Sequence, residues 1–301
     1  MKRLGFILSL VLFIVAGTYG TFLIISKPPG TILETKLPEL EDPKETPKPL
    51  TLIFPDGKII KDRFLVPKDY KRISVNEESY EEYLRNLPLK PHGTDVFYYN
   101  GNLKRNTSVH QGVIDIDVGD RDLQQCADAT IRLRAEYLFQ QGLYEHISFQ
   151  FTNGFPAEYL KWRQGYRIAL EGNHTSWVRR ADPSDDYASF RKYLDLVFAY
   201  AGTLSLSKEL PEVSIEDMTI GDIIIQGGSP GHAVMVVDMA EHGETGEKIF
   251  LLAQSYMPAQ DIHVLRNPSN TELSPWYSLN PGSRLVTPEW TFEDAKVRRF
   301  K

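Results

Sequence analysis

The sequence predicts an α+β fold in which an antiparallel sheet from the C-terminal half packs against two helices. Three stretches carry that expectation. Residues 221–255, GDIIIQGGSPGHAVMVVDMAEHGETGEKIFLLAQS, hold short apolar runs separated by Gly, Ser and Pro, the pattern of adjacent strands joined by tight turns. Residues 122–141, DLQQCADATIRLRAEYLFQQ, place Leu123, Ala127, Ile131 and Leu138 at helical spacing, with Asp122 as an entry cap and Gly142 as an exit. Residues 184–202 repeat the pattern with Phe190, Leu194, Val197, Phe198 and Ala201 on one face.

Composition limits the function classes. The 301 residues carry a formal charge of −6. Lys2, Arg3 and Lys27 are the only charges in residues 1–30, so the remainder holds 31 basic and 40 acidic groups, a net −9. An acidic body without a basic stripe excludes general binding to a phosphate backbone, so no nucleic-acid partner is expected. The single cysteine, Cys126, cannot form an internal disulfide.

Residues 4–25, LGFILSLVLFIVAGTYGTFLII, are uncharged and follow Met-Lys-Arg. A run of about 20 apolar residues matches a membrane span and exceeds a signal-peptide core of roughly 7–15. Residues 1–26 are therefore expected to be a signal peptide or an N-terminal membrane anchor. Lys2 and Arg3 before the run place the body outside the cytoplasm. Residues 27–50 contain six prolines among Glu and Lys, which deny the backbone both ladder and helix hydrogen bonds and predict a tether. Residues 51–301 are expected to form one extracytoplasmic domain.

Along the body, residues 52–60 and 64–66 suggest strands turned at Asp56-Gly57, and residues 77–87 a short helix. Residues 95–99 suggest a strand ending at Asn100-Gly101. In residues 113–118, VIDIDV, the alternation puts Asp115 and Asp117 on one strand face, either as a carboxylate pair or as a solvated edge. Residues 147–151 and 166–170 are further strands, with a short helix or irregular connection at 157–164. Residues 223–226, 232–238, 249–256 and 262–265 follow as strands, and the tail beyond Pro275 is expected to be loop and packing.

The chemistry centres on Cys126. Unpaired N–H groups at a helix start favour an anion, so a thiolate there is expected to have a lowered pKa and an oxyanion would find donors. A packed, inert thiol is the plain alternative. Among seven histidines, His232 has the most constrained setting, opening a strand after a Gly/Ser/Pro turn, while His263 is a weaker rival within a short strand. A hairpin turn centred near Glu244 puts His232 and Gln254 on one face, within diagonal reach; a one-residue slip would separate them. A cysteine nucleophile needs a nearby imidazole and a polar group to orient the ring. Cys126 at a helix start, His232 at a strand start and Gln254 on the next strand meet those needs if the helix packs on the sheet, and they are the candidate triad. No HExxH or comparable ligand spacing is present, and neither a metal nor a cofactor is expected.

Gly221-Asp222-Ile223-Ile224-Ile225 followed by Gly231-His232-Ala233-Val234 resembles the central signature of the papain-like NlpC-type cysteine amidases and peptidases of bacterial cell walls. That resemblance implies a papain-like core and a cell-wall peptide or glycan as partner, beside the membrane. Around the nucleophile the usual Asp-Cys-Ser-Gly is replaced by Gln125-Cys126-Ala127-Asp128, and the spacing to His232 is long. The body is also similar to a bacterial family, Domain of Unknown Function 4846, through Gln125-Cys126-Ala127-Asp128-Ala129, Gln226-Gly227-Gly228-Ser229-Pro230-Gly231-His232, Leu252-Ala253-Gln254-Ser255-Tyr256 and Ser274-Pro275-Trp276-Tyr277. This second resemblance implies no activity. The expected function is an extracytoplasmic thiol amidase or peptidase; the alternatives are a non-catalytic envelope-binding module on the same frame, and a carboxylate enzyme using Asp115, Asp117 or Asp128.

Overall fold

A computed structural model describes residues 51–172, 174–278 and 284–301. The proposed anchor and tether, residues 1–50, lie outside the described residues; among the described residues no helix is long and apolar enough to cross a membrane.

The fold is α+β. Among the described residues its main sheet has nine strands, with His232–His242 and Lys248–Gln254 at the centre. From Lys248–Gln254 the order runs outward through His263–Leu265 to His110–Val113. From His232–His242 it runs through Ile223–Gln226 and Lys296–Arg298 to Glu212–Val213. Tyr70–Arg72 pairs with the far end of His232–His242, and Tyr277–Ser278 with the start of Lys248–Gln254. Every pairing is antiparallel.

The first nine residues of His232–His242 are all buried. A strand covered on both faces needs no polar alternation, which is why this segment reads as a continuous apolar run. One charge interrupts it. Asp238 is fully buried and lies 2.7 Å from both Arg72 Nε and Arg85 Nε. The two guanidiniums replace the water that burial removes and tie the N-terminal part of the body to the sheet.

Cys126–Gln140 packs against the central strands and is buried almost all round, Arg132 and Glu136 included. The stripe residues Ala127, Ile131 and Leu138 are buried as expected, but Arg132 and Glu136, off that stripe, are buried too and form an internal ion pair, Nε to Oε1 at 2.5 Å. The helix also starts later than residue 122. Asp122 is occupied elsewhere, its Oδ1 accepting from Ala259 N (2.7 Å) and Gln125 Nε2 (3.1 Å), while Asp128 Oδ2 accepts from Gln125 N at 3.0 Å and caps the helix. Tyr187–Tyr200 is the second long helix, capped by Asp186 through Ser189 N at 2.6 Å, and Thr203–Glu209 follows it directly.

Several expected strands are shorter than the apolar pattern suggested. Residues 52–66 hold an isolated bridge, Ile53 to Phe64, and a helical turn at Ile60–Arg63. His110–Val113 ends before Asp115 and Asp117, both of which are exposed, so no strand face presents that carboxylate pair. The tail contributes more than packing: Lys296–Arg298 inserts between Ile223–Gln226 and Glu212–Val213. Its pattern, two charges around one valine, carries little apolar signal because only Val297 turns inward.

Candidate functional site

Cys126 is the first residue of its helix and is half-buried. The loop that delivers it is clamped from inside. Arg132 Nη1 donates to Asp117 O (3.1 Å) and to Gln124 Oε1 (3.0 Å), and Ser255 Oγ lies 2.8 Å from Gln124 O. The backbone amides of Ala233, the residue after His232, and of Ala127 and Cys126 itself favour the thiolate form. Cys126 and His232 line the same cleft, about 720 Å³, with Phe198, Tyr256, Met257 and Trp290.

His232 enters from the turn that residues 227–231 form. This turn has no room for a side chain at Gly231: a Cβ there would lie 2.4 Å from Thr203 Oγ1 and 2.5 Å from Gly228 O. The imidazole is buried, with the rings of Tyr256, Trp290 and Phe292 at 4.9, 5.3 and 5.8 Å.

Its Nε2 lies 2.8 Å from Gln254 Oε1. A β-bulge makes that contact. Near the hairpin turn Lys248 faces Glu241 and Leu251 faces Asp238, but Leu252 faces Val236, leaving Val237 without a partner. The extra residue changes the parity of all later pairs and turns Gln254 onto the face of His232.

Gln254 is held in turn. Its Nε2 donates to Glu289 Oε2 at 2.9 Å and makes a longer contact, 3.5 Å, with His263 Nε2. Lys104 Nζ reaches Glu289 Oε1 at 2.8 Å and Gln260 Oε1 at 2.7 Å. The sequence singled out neither Glu289 nor Lys104. Both stand in segments without periodicity, and only their burial beside the site sets them apart from surface charges. His263, the rival base, lies behind Gln254, and its Nδ1 contacts Asp261 O at 2.9 Å.

Burial governs the protonation states. It pushes His232 down to about 4, against the hydrogen bond to Gln254, and His263 down to about 3. It also pushes the Cys126 thiol up, with the Ala233 amide acting the other way. The lowered thiol pKa expected at a helix start is therefore not found in this arrangement: desolvation outweighs the helix N–H groups, and cysteine and histidine rest neutral. Asp128, deeper in the cleft wall, is held well above the usual carboxylate range by burial; its Oδ1 has no partner. Asp115 and Asp117 line a separate cleft beside Arg132 and Glu136. Among the described residues no group of three or more His, Cys, Asp or Glu side chains is arranged to hold a metal ion.

The family model described as Domain of unknown function (4846) matches residues 60–299. The chain belongs to this family. The matched segment contains Cys126, His232 and Gln254 as well as Lys104 and Glu289. No curated protein and no solved structure matches the chain.

Proposed function

We propose that this family member is a cysteine hydrolase of acyl compounds, an amidase or peptidase on a papain-like, NlpC-type frame. One observation carries the reading. His232 offers Nε2 to Gln254 Oε1, so its other nitrogen is left for the cleft in which the helix-starting Cys126 stands. A nucleophile, a base and a group that orients the base are the minimum for thiol acyl transfer.

In the proposed reaction the Cys126 sulfur attacks a substrate carbonyl while its proton passes to His232 Nδ1. The Cys126 and Ala127 amides, at the start of the helix, donate to the oxyanion. The carbon–nitrogen or carbon–oxygen bond breaks, the leaving group takes the proton from His232, and a thioester remains. Water then gives a proton to His232 as its oxygen attacks the thioester, and the carbon–sulfur bond breaks as the sulfur takes that proton back from His232, which restores the thiol and releases the acid. The body acts outside the cytoplasm on a cell-wall peptide or glycan-linked amide, held to the membrane by residues 1–26.

p-Nitrophenyl acetate tests the chemistry without knowledge of the substrate. A burst of nitrophenolate and an acetyl thioester on Cys126, seen by mass spectrometry, are expected. Cys126→Ala should abolish both, and His232→Ala should slow the burst by about 10²–10⁴-fold. A folded wild-type protein that acquires no label on Cys126 would overturn the reading.

The neutral resting pair favours a second reading, a binding module on the same frame. In that case a peptidoglycan preparation would be retained equally by wild type and Cys126→Ala, with no acylation of either.

A further inference from the structure

The polar groups behind His232 form a directed chain. His263 Nδ1 faces the carbonyl oxygen of Asp261, which only accepts, so the proton of this neutral ring sits on Nδ1 and its Nε2 is an acceptor. Glu289 Oε2 is an acceptor as well. Gln254 has both acceptors on its amide-nitrogen side, at 2.9 and 3.5 Å, so that side must be the NH₂. Its carbonyl oxygen then faces His232 Nε2 at 2.8 Å and requires an N–H there. With the proton on Nε2, Nδ1 of His232 keeps its lone pair. Reversing the Gln254 amide would set its oxygen against two acceptors and its NH₂ against His232.

Glu289 itself is fixed from two sides. It stands in a tight turn closed by Thr287 N to Trp290 O at 2.8 Å. Its other oxygen is paired with Lys104, whose buried ammonium also bonds Gln260 and lies 5.5 Å from the centre of the Tyr256 ring.

We propose that Glu289, held by Lys104, is a positioning residue: it locks the Gln254 amide in one orientation and thereby fixes His232 as the Nε2–H tautomer, leaving the Nδ1 lone pair free beside the cleft that Cys126 also lines. The catalytic part of this statement rests on the cysteine-hydrolase reading; the tautomer lock does not.

Nitrogen-15 NMR of the histidine rings separates the two, with the His232 signals assigned by their loss in His232→Gln. Wild type is expected to show a single neutral Nε2–H tautomer at His232. In Glu289→Gln the replacement amide can present either end to Gln254. The Nδ1–H tautomer should then appear as a second population, and acetylation of Cys126 by p-nitrophenyl acetate should fall about tenfold or more. Should Glu289→Gln fail to fold, the double variant Lys104→Met/Glu289→Met removes both charges together and should give the same two changes. A variant that retains the single tautomer overturns the proposal, as does a wild type that already shows both. If the tautomer shifts in the variant while wild-type Cys126 is never acylated, the lock stands and the hydrolase reading falls.

Discussion

At the scale of single residues, Cys126 is governed by competition between helix-start amides and burial. Three backbone N–H groups favour the thiolate, yet loss of water costs more, and the thiol lies above its ordinary range. In the free protein, alkylation of Cys126 by iodoacetamide should therefore rise with pH to an apparent pKa above the usual ~8.5. A midpoint well below that value would mean a resting thiolate–imidazolium pair and would contradict the neutral assignment. The rings of Tyr256, Trp290 and Phe292 pack around the buried His232. Trp290 and Phe292 look like ordinary tail packing in sequence, because nothing local shows that their ring faces meet a histidine nearly sixty residues earlier.

At the scale of elements, the cysteine helix is held by its own interior charge. Arg132 joins Glu136, Gln124, Asp117 O and the Tyr187 hydroxyl, so a single guanidinium sets the path of the chain into Cys126. Replacing Arg132 by Leu leaves Glu136 buried without its cation. The expected cost is about 3–5 kcal/mol in urea unfolding, and the surviving folded fraction should acylate Cys126 more slowly. An Arg132→Leu protein of unchanged stability would show that the pair is not needed to hold the loop. Helical periodicity revealed this helix but gave the wrong role to its charges. Arg132 and Glu136 have the i,i+4 spacing of a surface pair, and only the layers packed on both sides turn them inward. The hairpin shows the same division. Its turn and facing strands are legible from apolar runs and glycines, whereas the unpaired Val237, which decides whether Gln254 faces His232, has no mark in a run of consecutive apolar residues.

At the scale of the whole molecule, two buried neutral imidazoles link stability to pH. The folded pKa values of His232 and His263, about 4 and about 3, lie below the ordinary 6.5. As pH falls below 6.5 the unfolded chain gains protons that the fold does not bind. Their contribution is thus complete above that value and is lost as pH falls through the folded values. Asp128 acts with the opposite sign: its raised folded pKa lets the native state keep a proton that the unfolded chain has released, so its contribution declines as pH rises. A comparison of wild type with His263→Gln isolates one ring. The stability difference between them should shift by about 2 kcal/mol in favour of the variant when urea unfolding is moved from about pH 7 to about pH 5. A difference independent of pH would mean that His263 is not held neutral.

By itself the sequence determined the α+β class, the two long helices and the central hairpin, and it marked Cys126, His232 and Gln254 as candidates, because apolar period, turn glycines and a lone cysteine are local signals. Tertiary structure alone decided which charges are interior, that Lys296–Arg298 completes the sheet, and that Lys104 and Glu289 stand behind Gln254. Those facts depend on which groups lose water together. Desolvation belongs to the packed assembly, and no window of neighbouring residues records it.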